Sequence, residues 1–137
     1  MTFKLVDEML TKHASGDARS PAAEHLDMHL VKFARGVAVY EMPVRFVENS
    51  VLVALAETAK NAAATTTVPD EVGSLGMRTL DLCAHFHAPV ASDAEVLRAE
   101  AIVVRSDGEA VRVEADVLAD GRRMASFEAN SGVARSP

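Results

Sequence analysis

The stretch SVLVALAETAKNAAATTT, residues 50–67, decides how the rest of the chain must fold. Val51, Leu52, Val53, Ala54, Leu55, Ala56, Ala59, Ala62, Ala63 and Ala64 run almost all the way round a helical wheel, leaving hardly any polar side. A helix of that kind has to be enclosed by other structure. Ser50 is the N-cap candidate, because a serine hydroxyl can accept a free amide of the first turn. Glu57, Lys60 and Asn61 stand at i, i+3 and i+4 and so share one narrow stripe. On spacing alone that stripe reads as the side turned to solvent.

What encloses the helix lies downstream. Leu97, Ala99, Ala101 and Val103 alternate with Arg98, Glu100 and Ile102; Val111, Val113, Ala115 and Val117 with Arg112, Glu114 and Asp116; Ala125, Phe127 and Ala129 with Ser126, Glu128 and Asn130. A period of two predicts half-buried strands. Asp107-Gly108 and Asp120-Gly121 between them favour hairpin turns, so the three runs form a meander. Met77 to Ala88 predicts a further long strand, with Leu80, Leu82, Ala84 and Phe86 on one face and Pro89 ending it. Upstream, Met28 to Val44 reads as two strands split at Arg35-Gly36, with Pro43 at a strand end. Phe3, Val6, Met9 and Leu10 recur at helical spacing as far as Gly16, and Ser20-Pro21 opens a second short helix. The expected class is α+β, a curved antiparallel sheet around one long central helix, in a single domain 1–137. Residues 1–25 form a helical segment, and residues 131–137 a tail expected to fray.

Composition narrows the function. At 137 residues and 49% hydrophobic, the chain can bury a core without metal or disulfide support. A net charge of −6 and 4% aromatic residues argue against nucleic acid as a partner. Val51 to Ala56, the longest apolar run, falls far short of the roughly 20 residues that span a bilayer, so no membrane partner is expected. Lys4, Asp7 and Glu8 interrupt any leader-like apolar core, and the single Cys83 suits a reducing compartment, so a cytoplasmic location is expected. Cys83 reads as a packing residue. His85 and His87, two apart with no third ligand in view, read as polar residues of an exposed or interface face, so no metal site is expected.

The order strand, helix, antiparallel strands resembles the hotdog-fold acyl-CoA thioesterases, in particular the phenylacetate-degradation and 4-hydroxybenzoyl-CoA thioesterase group. The residues that carry the resemblance are Glu41-Met42-Pro43-Val44 before the helix, Leu55-Ala56-Glu57-Thr58-Ala59 within it, and Thr79-Leu80-Asp81-Leu82, Phe86 and Ala88-Pro89 after it. It runs from about Leu26 to Val133.

The resemblance implies hydrolysis of a small or medium acyl-CoA by a homodimer or a dimer of dimers, with the site between protomers. No cofactor is expected beyond coenzyme A as part of the substrate. Glu57 matches the helix carboxylate that acts as general base or nucleophile, Thr79 the hydroxyl that positions water, and Asn49 an amide contributed from before the helix. The family's His-Gly-Gly loop is shortened here, and Glu48-Asn49-Ser50 runs straight into Val51. The backbone amides at Ser50 and Val51 are then the candidates to hold an oxyanion. Arg105, Arg122 and Arg123, beside the two Asp-Gly turns, are the candidates for the 3′,5′-ADP of CoA. A non-catalytic hotdog protein that binds acyl-CoA or another apolar ligand is the alternative, favoured by the missing glycines and disfavoured by Glu57 together with Thr79. Hydratase chemistry is more distant, since no histidine lies near Glu57 in sequence.

Overall fold

The computed structural model describes residues 3–4, 6–8, 26–45, 48–70 and 77–133. Within it the apolar stretch is a helix, α1, Asn49–Thr65, whose Leu52, Leu55, Ala56, Ala59, Ala63 and Ala64 are buried. Six strands surround it: β1 His29–Ala34, β2 Val37–Pro43, β3 Met77–Phe86, β4 Val96–Ser106, β5 Ala110–Ala119 and β6 Arg122–Val133. They form one antiparallel sheet in the order β1-β2-β4-β5-β6-β3. The predicted alternation holds in β4, β5 and β6, where Leu97, Ala99, Val113, Val117, Ala125 and Ala129 are fully buried. Small inward residues let the sheet approach an alanine-rich helix closely. Packing of α1 is heaviest on β2, β4 and β5 and lighter on β3 and β6.

Three details of these elements depart from the sequence expectations. The N-cap is Glu48, not Ser50: Glu48 is extended (φ −67, ψ 146), and its carbonyl accepts the Val51 amide at 3.0 Å. The first turn therefore begins two residues earlier than expected, without a capping side chain. Ser131 to Val133 complete β6 between β3 and β5, where Ser131 is fully buried, so the expected tail does not begin there. Residues 134–137 lie outside the described residues, as do the Ser20-Pro21 helix and most of the first helical segment; of that segment, Lys4, Val6, Asp7 and Glu8 are helical.

The third departure shapes the site. Thr79 faces Ser131 and Asp81 faces Asn130, so Leu80 is an extra residue with no partner across the ladder. It is thrown outward, 63% exposed, instead of joining the inner face. Strict alternation would put Thr79 on the outer face with Asp81, Cys83 and His85. The bulge inverts the parity, and Thr79 shares the inner face with Leu82, Ala84 and Phe86, opposite Ser131, Ala129, Phe127 and Ala125.

The C-terminal end of α1 is tied to the β1–β2 turn. Gly36, at φ +77, donates its amide to Thr66 Oγ1 at 2.7 Å, and Thr66 Oγ1 donates to the Ala63 carbonyl at 2.7 Å. Arg35 Nη1 donates to the Thr66 carbonyl at 2.9 Å, and its guanidinium lies over the Phe3 ring, 5.0 Å from the centroid. Thr66→Val keeps the shape but strands the buried Gly36 amide. The expected loss is about 1–3 kcal/mol of unfolding free energy, read from urea denaturation, with an unchanged m-value.

Candidate active site

A helix that packs on β2, β4 and β5 presents its flank to β3, and the residues there are Glu57 and Lys60. One turn of helix places the two side chains side by side. Lys60 Nζ lies 3.0 Å from Glu57 Oε1. The same ammonium donates a hydrogen bond to Thr79 Oγ1 at 2.7 Å, and Thr79 Oγ1 donates to Glu57 Oε2 at 2.9 Å. Carboxylate, ammonium and hydroxyl thus close a ring that joins the helix to β3 within one chain. The Leu80 bulge makes this possible, because it turns Thr79 inward.

Burial in the ring is uneven. Lys60 is fully buried, with 1% of its side chain exposed, while 29% of the Glu57 side chain meets solvent. Glu57 Oε1 is itself buried and, despite its 3.0 Å approach to the ammonium, accepts no hydrogen bond of good geometry. The contact is therefore Coulombic first. Oε2, which accepts from Thr79, retains a second lone pair for a proton donor. Beside the ring, Ser131 Oγ is buried, without a hydrogen-bond partner, directly across the ladder from Thr79.

The remaining sequence candidates are more scattered. Asn49 and Ser50 are exposed at the helix start, roughly 10–12 Å along the axis from Glu57. The Val51 amide already donates to the Glu48 carbonyl, so the unsatisfied helix-start donors are those of Asn49 and Ser50. Arg105 sits by the β4–β5 hairpin, and Arg122 and Arg123 open β6 after the β5–β6 hairpin. The ten residues of β5 lie between these two hairpins, about 30 Å of strand. The three arginines therefore do not converge on one ligand within a protomer, and Arg123 faces Asp116 at 3.8 Å. Lys60, which the structure brings into contact with Glu57 and Thr79, is not among the candidates read from the sequence. The available signal was its i+3 spacing from Glu57 in a helix with almost no other polar residue.

The outer face of the sheet differs in character. A groove of about 310 Å³ there is lined by Glu100, Ile102, Glu114, Asp116, Ser126 and Glu128 among others. Cys83 is not the packing residue expected from the sequence: it is exposed on the same face, across from Glu128, with its Sγ 3.5 Å from His85 Nε2, and His87 Nε2 lies 2.8 Å from Ser126 Oγ. Among the described residues no three His, Cys, Asp or Glu side chains are grouped to hold a metal ion, and no helix is long and apolar enough to cross a membrane.

The buried ammonium makes the ring asymmetric in stability. Glu57→Gln removes the counter-charge of a cation that water does not reach, and is expected to cost about 1–3 kcal/mol, reduced from the fully buried case by the exposure of Glu57. Lys60→Met leaves a carboxylate that solvent partly reaches and should cost less. Glu57→Gln with Lys60→Met should recover most of the loss, so a double-mutant cycle in urea should give a coupling well outside additivity. Additive losses would show that the pair is not coupled.

No protein-family model matches the sequence, and no curated protein matches it. Among solved structures, the chain is similar to the Escherichia coli PaaI protein of the phenylacetic acid degradation operon, at 17% identity and a TM-score of 0.77, over 96% of this chain and 97% of that one. It is similar to a thioesterase family protein from Silicibacter pomeroyi at 18% identity and a TM-score of 0.77, over 93% and 99% of the two chains. A third is a point mutant of the phenylacetic acid degradation protein PaaI from Thermus thermophilus, at 22% identity and a TM-score of 0.73, over 84% and 100%. The long helix enclosed by a six-stranded antiparallel sheet, and its agreement with these structures over nearly their whole length, identify the chain as a hotdog-fold protein of the architecture shared by PaaI-like thioesterases.

Proposed function

We propose that the chain hydrolyses an acyl-CoA thioester, with a small or medium acyl group, to the free acid and CoA. The observation that carries this reading is the hydrogen bond from Thr79 to Glu57, which fixes a partly exposed carboxylate at the boundary between helix and edge strand. A carboxylate and a hydroxyl in an otherwise apolar setting are costly unless paired or used. In the proposed route Glu57 Oε2 takes a proton from water as the water oxygen bonds to the thioester carbon, and the carbonyl electron pair moves onto oxygen. The C–S bond then breaks, and the CoA thiolate leaves with the proton that Glu57 returns. Thr79 orients the carboxylate and the water.

The inner face of β3 runs from Thr79 along Leu82 and Ala84 to Phe86, which is 41% exposed and meets Phe127 edge to face at 5.9 Å. This partly uncovered apolar strip suits an acyl group. It also argues for a second protomer: among the described residues β3 pairs only with β6, and its other edge has no ladder partner among them and presents a row of backbone donors and acceptors. A homodimer, or a dimer of dimers, would cover that edge and place the strip between protomers. For the CoA head group, Arg105 lies at the Thr79 end of the sheet, so Arg122 and Arg123 would have to come from a second protomer. The exposed free thiol of Cys83 suits a reducing cytoplasm.

Thiol release from a panel of acyl-CoA substrates tests the activity. Glu57→Gln, assayed well below its melting temperature, is expected to retain acyl-CoA binding and to lose at least a hundredfold in turnover, roughly the scale of a general base. Thr79→Val should lose less, since it orients without exchanging the proton. A wild type that binds acyl-CoA yet releases no thiol above the Glu57→Gln background would replace the hydrolase with a binding protein. Light scattering should give at least twice the 14.6 kDa of one chain at micromolar concentration; a monomer would contradict the shared site.

A further inference from the structure

Lys60 is the one charged side chain among the described residues that is fully buried, and the route above gives it no task. A buried ammonium is expensive, and apolar residues of similar volume usually fill such a position at no loss. Its placement is nonetheless specific. Nζ stands behind the carboxylate, 3.0 Å from Oε1, and donates to the hydroxyl that holds Oε2. The helix-start amides of Asn49 and Ser50 lie roughly 10–12 Å along the helix, so the fixed positive charge in contact with Glu57 is that of Lys60.

The ammonium holds Oε1 by charge, and the hydroxyl it donates to holds Oε2, so the carboxylate is fixed in one orientation. A base already held in its productive orientation need not reorganise when it takes the proton of the attacking water. Resting on the thioesterase reading, we propose that Lys60 is a positioning residue: it holds Glu57 Oε1 by charge and, through Thr79, aims Oε2 at the attacking water. No bond to Lys60 forms or breaks.

The test compares thiol release by wild type with that of Lys60→Met, Lys60→Gln, Lys60→Arg and Lys60→Ala on one acyl-CoA that the wild type turns over, after circular dichroism has shown each to be folded. Lys60→Met should lower kcat at least thirtyfold and change KM less than threefold; Lys60→Gln, neutral but able to hydrogen-bond, carries the same expectation should the methionine variant not fold. Lys60→Arg should recover at least tenfold over Lys60→Met. Methylammonium or ethylammonium should raise the turnover of Lys60→Ala with saturation, and ethanol should not. A purely structural lysine would show no preference for the cation. If both neutral variants stay within threefold of wild type in kcat, or if ethanol rescues as well as ethylammonium, this role for Lys60 is overturned while the thioesterase reading stands. A wild type that releases no thiol from any acyl-CoA overturns that reading, and this inference with it.

Discussion

Withdrawal of α1 from water constrains everything else in this chain. Leu52, Leu55, Ala56, Ala59, Ala63 and Ala64 are all buried on a helix with few polar residues, and burial of this kind is the main favourable term in folding. One flat sheet face would leave part of such a helix wet, so the strands have to curve. Alanine and valine at the inward positions of β4, β5 and β6 keep the two surfaces close. The tie from Thr66 to Gly36 and Arg35 then fixes where the helix ends relative to β1 and β2. With one end held, the angular position of Glu57 and Lys60 follows from 3.6 residues per turn.

The sheet separates two electrostatic environments. On the outer face Glu100 stands opposite Asp116, and Glu114 opposite Glu128, pairings that repel unless relieved. Relief comes from arginines. Arg112 pairs with Glu128 at 3.1 Å, and Arg98 lies between Glu100 and Glu41, whose hydrogen bonds and charges raise its pKa. On the inner face the polar groups among the described residues include the Glu57, Lys60 and Thr79 ring, Ser131, Thr66 and the Tyr40 phenol, whose pKa burial raises. An apolar ligand would be at home on the inner side and out of place among the carboxylates of the outer groove.

Much of the candidate site was legible from residue types. Glu57 stands out as a carboxylate in a helix that has little use for one, and the resemblance pairs Thr79 with it without any knowledge of their contact. The arginines were less legible, because adjacency to a hairpin turn does not tell which end of the sheet the hairpin occupies. The strand order puts Arg105 at one end of β5 and Arg122 and Arg123 at the other.

What the sequence alone determined is the set of elements and their inner faces: a helix too apolar to stand in water, and strands whose period of two assigns each side chain to one side of a sheet. These are local properties, carried by propensity and spacing. What only the tertiary structure decided is where the periodicity breaks and what becomes of the polar stripe. The extra residue Leu80 exists only relative to β6, since a bulge is a mismatch between two strands, and it moves Thr79 from the outer to the inner face. The stripe of Glu57, Lys60 and Asn61 divides in the same way: Asn61 stays exposed, while Lys60 is buried because β3 closes over it. Whether a helical side chain meets water or another strand depends on what packs there, and no spacing along one segment contains that information.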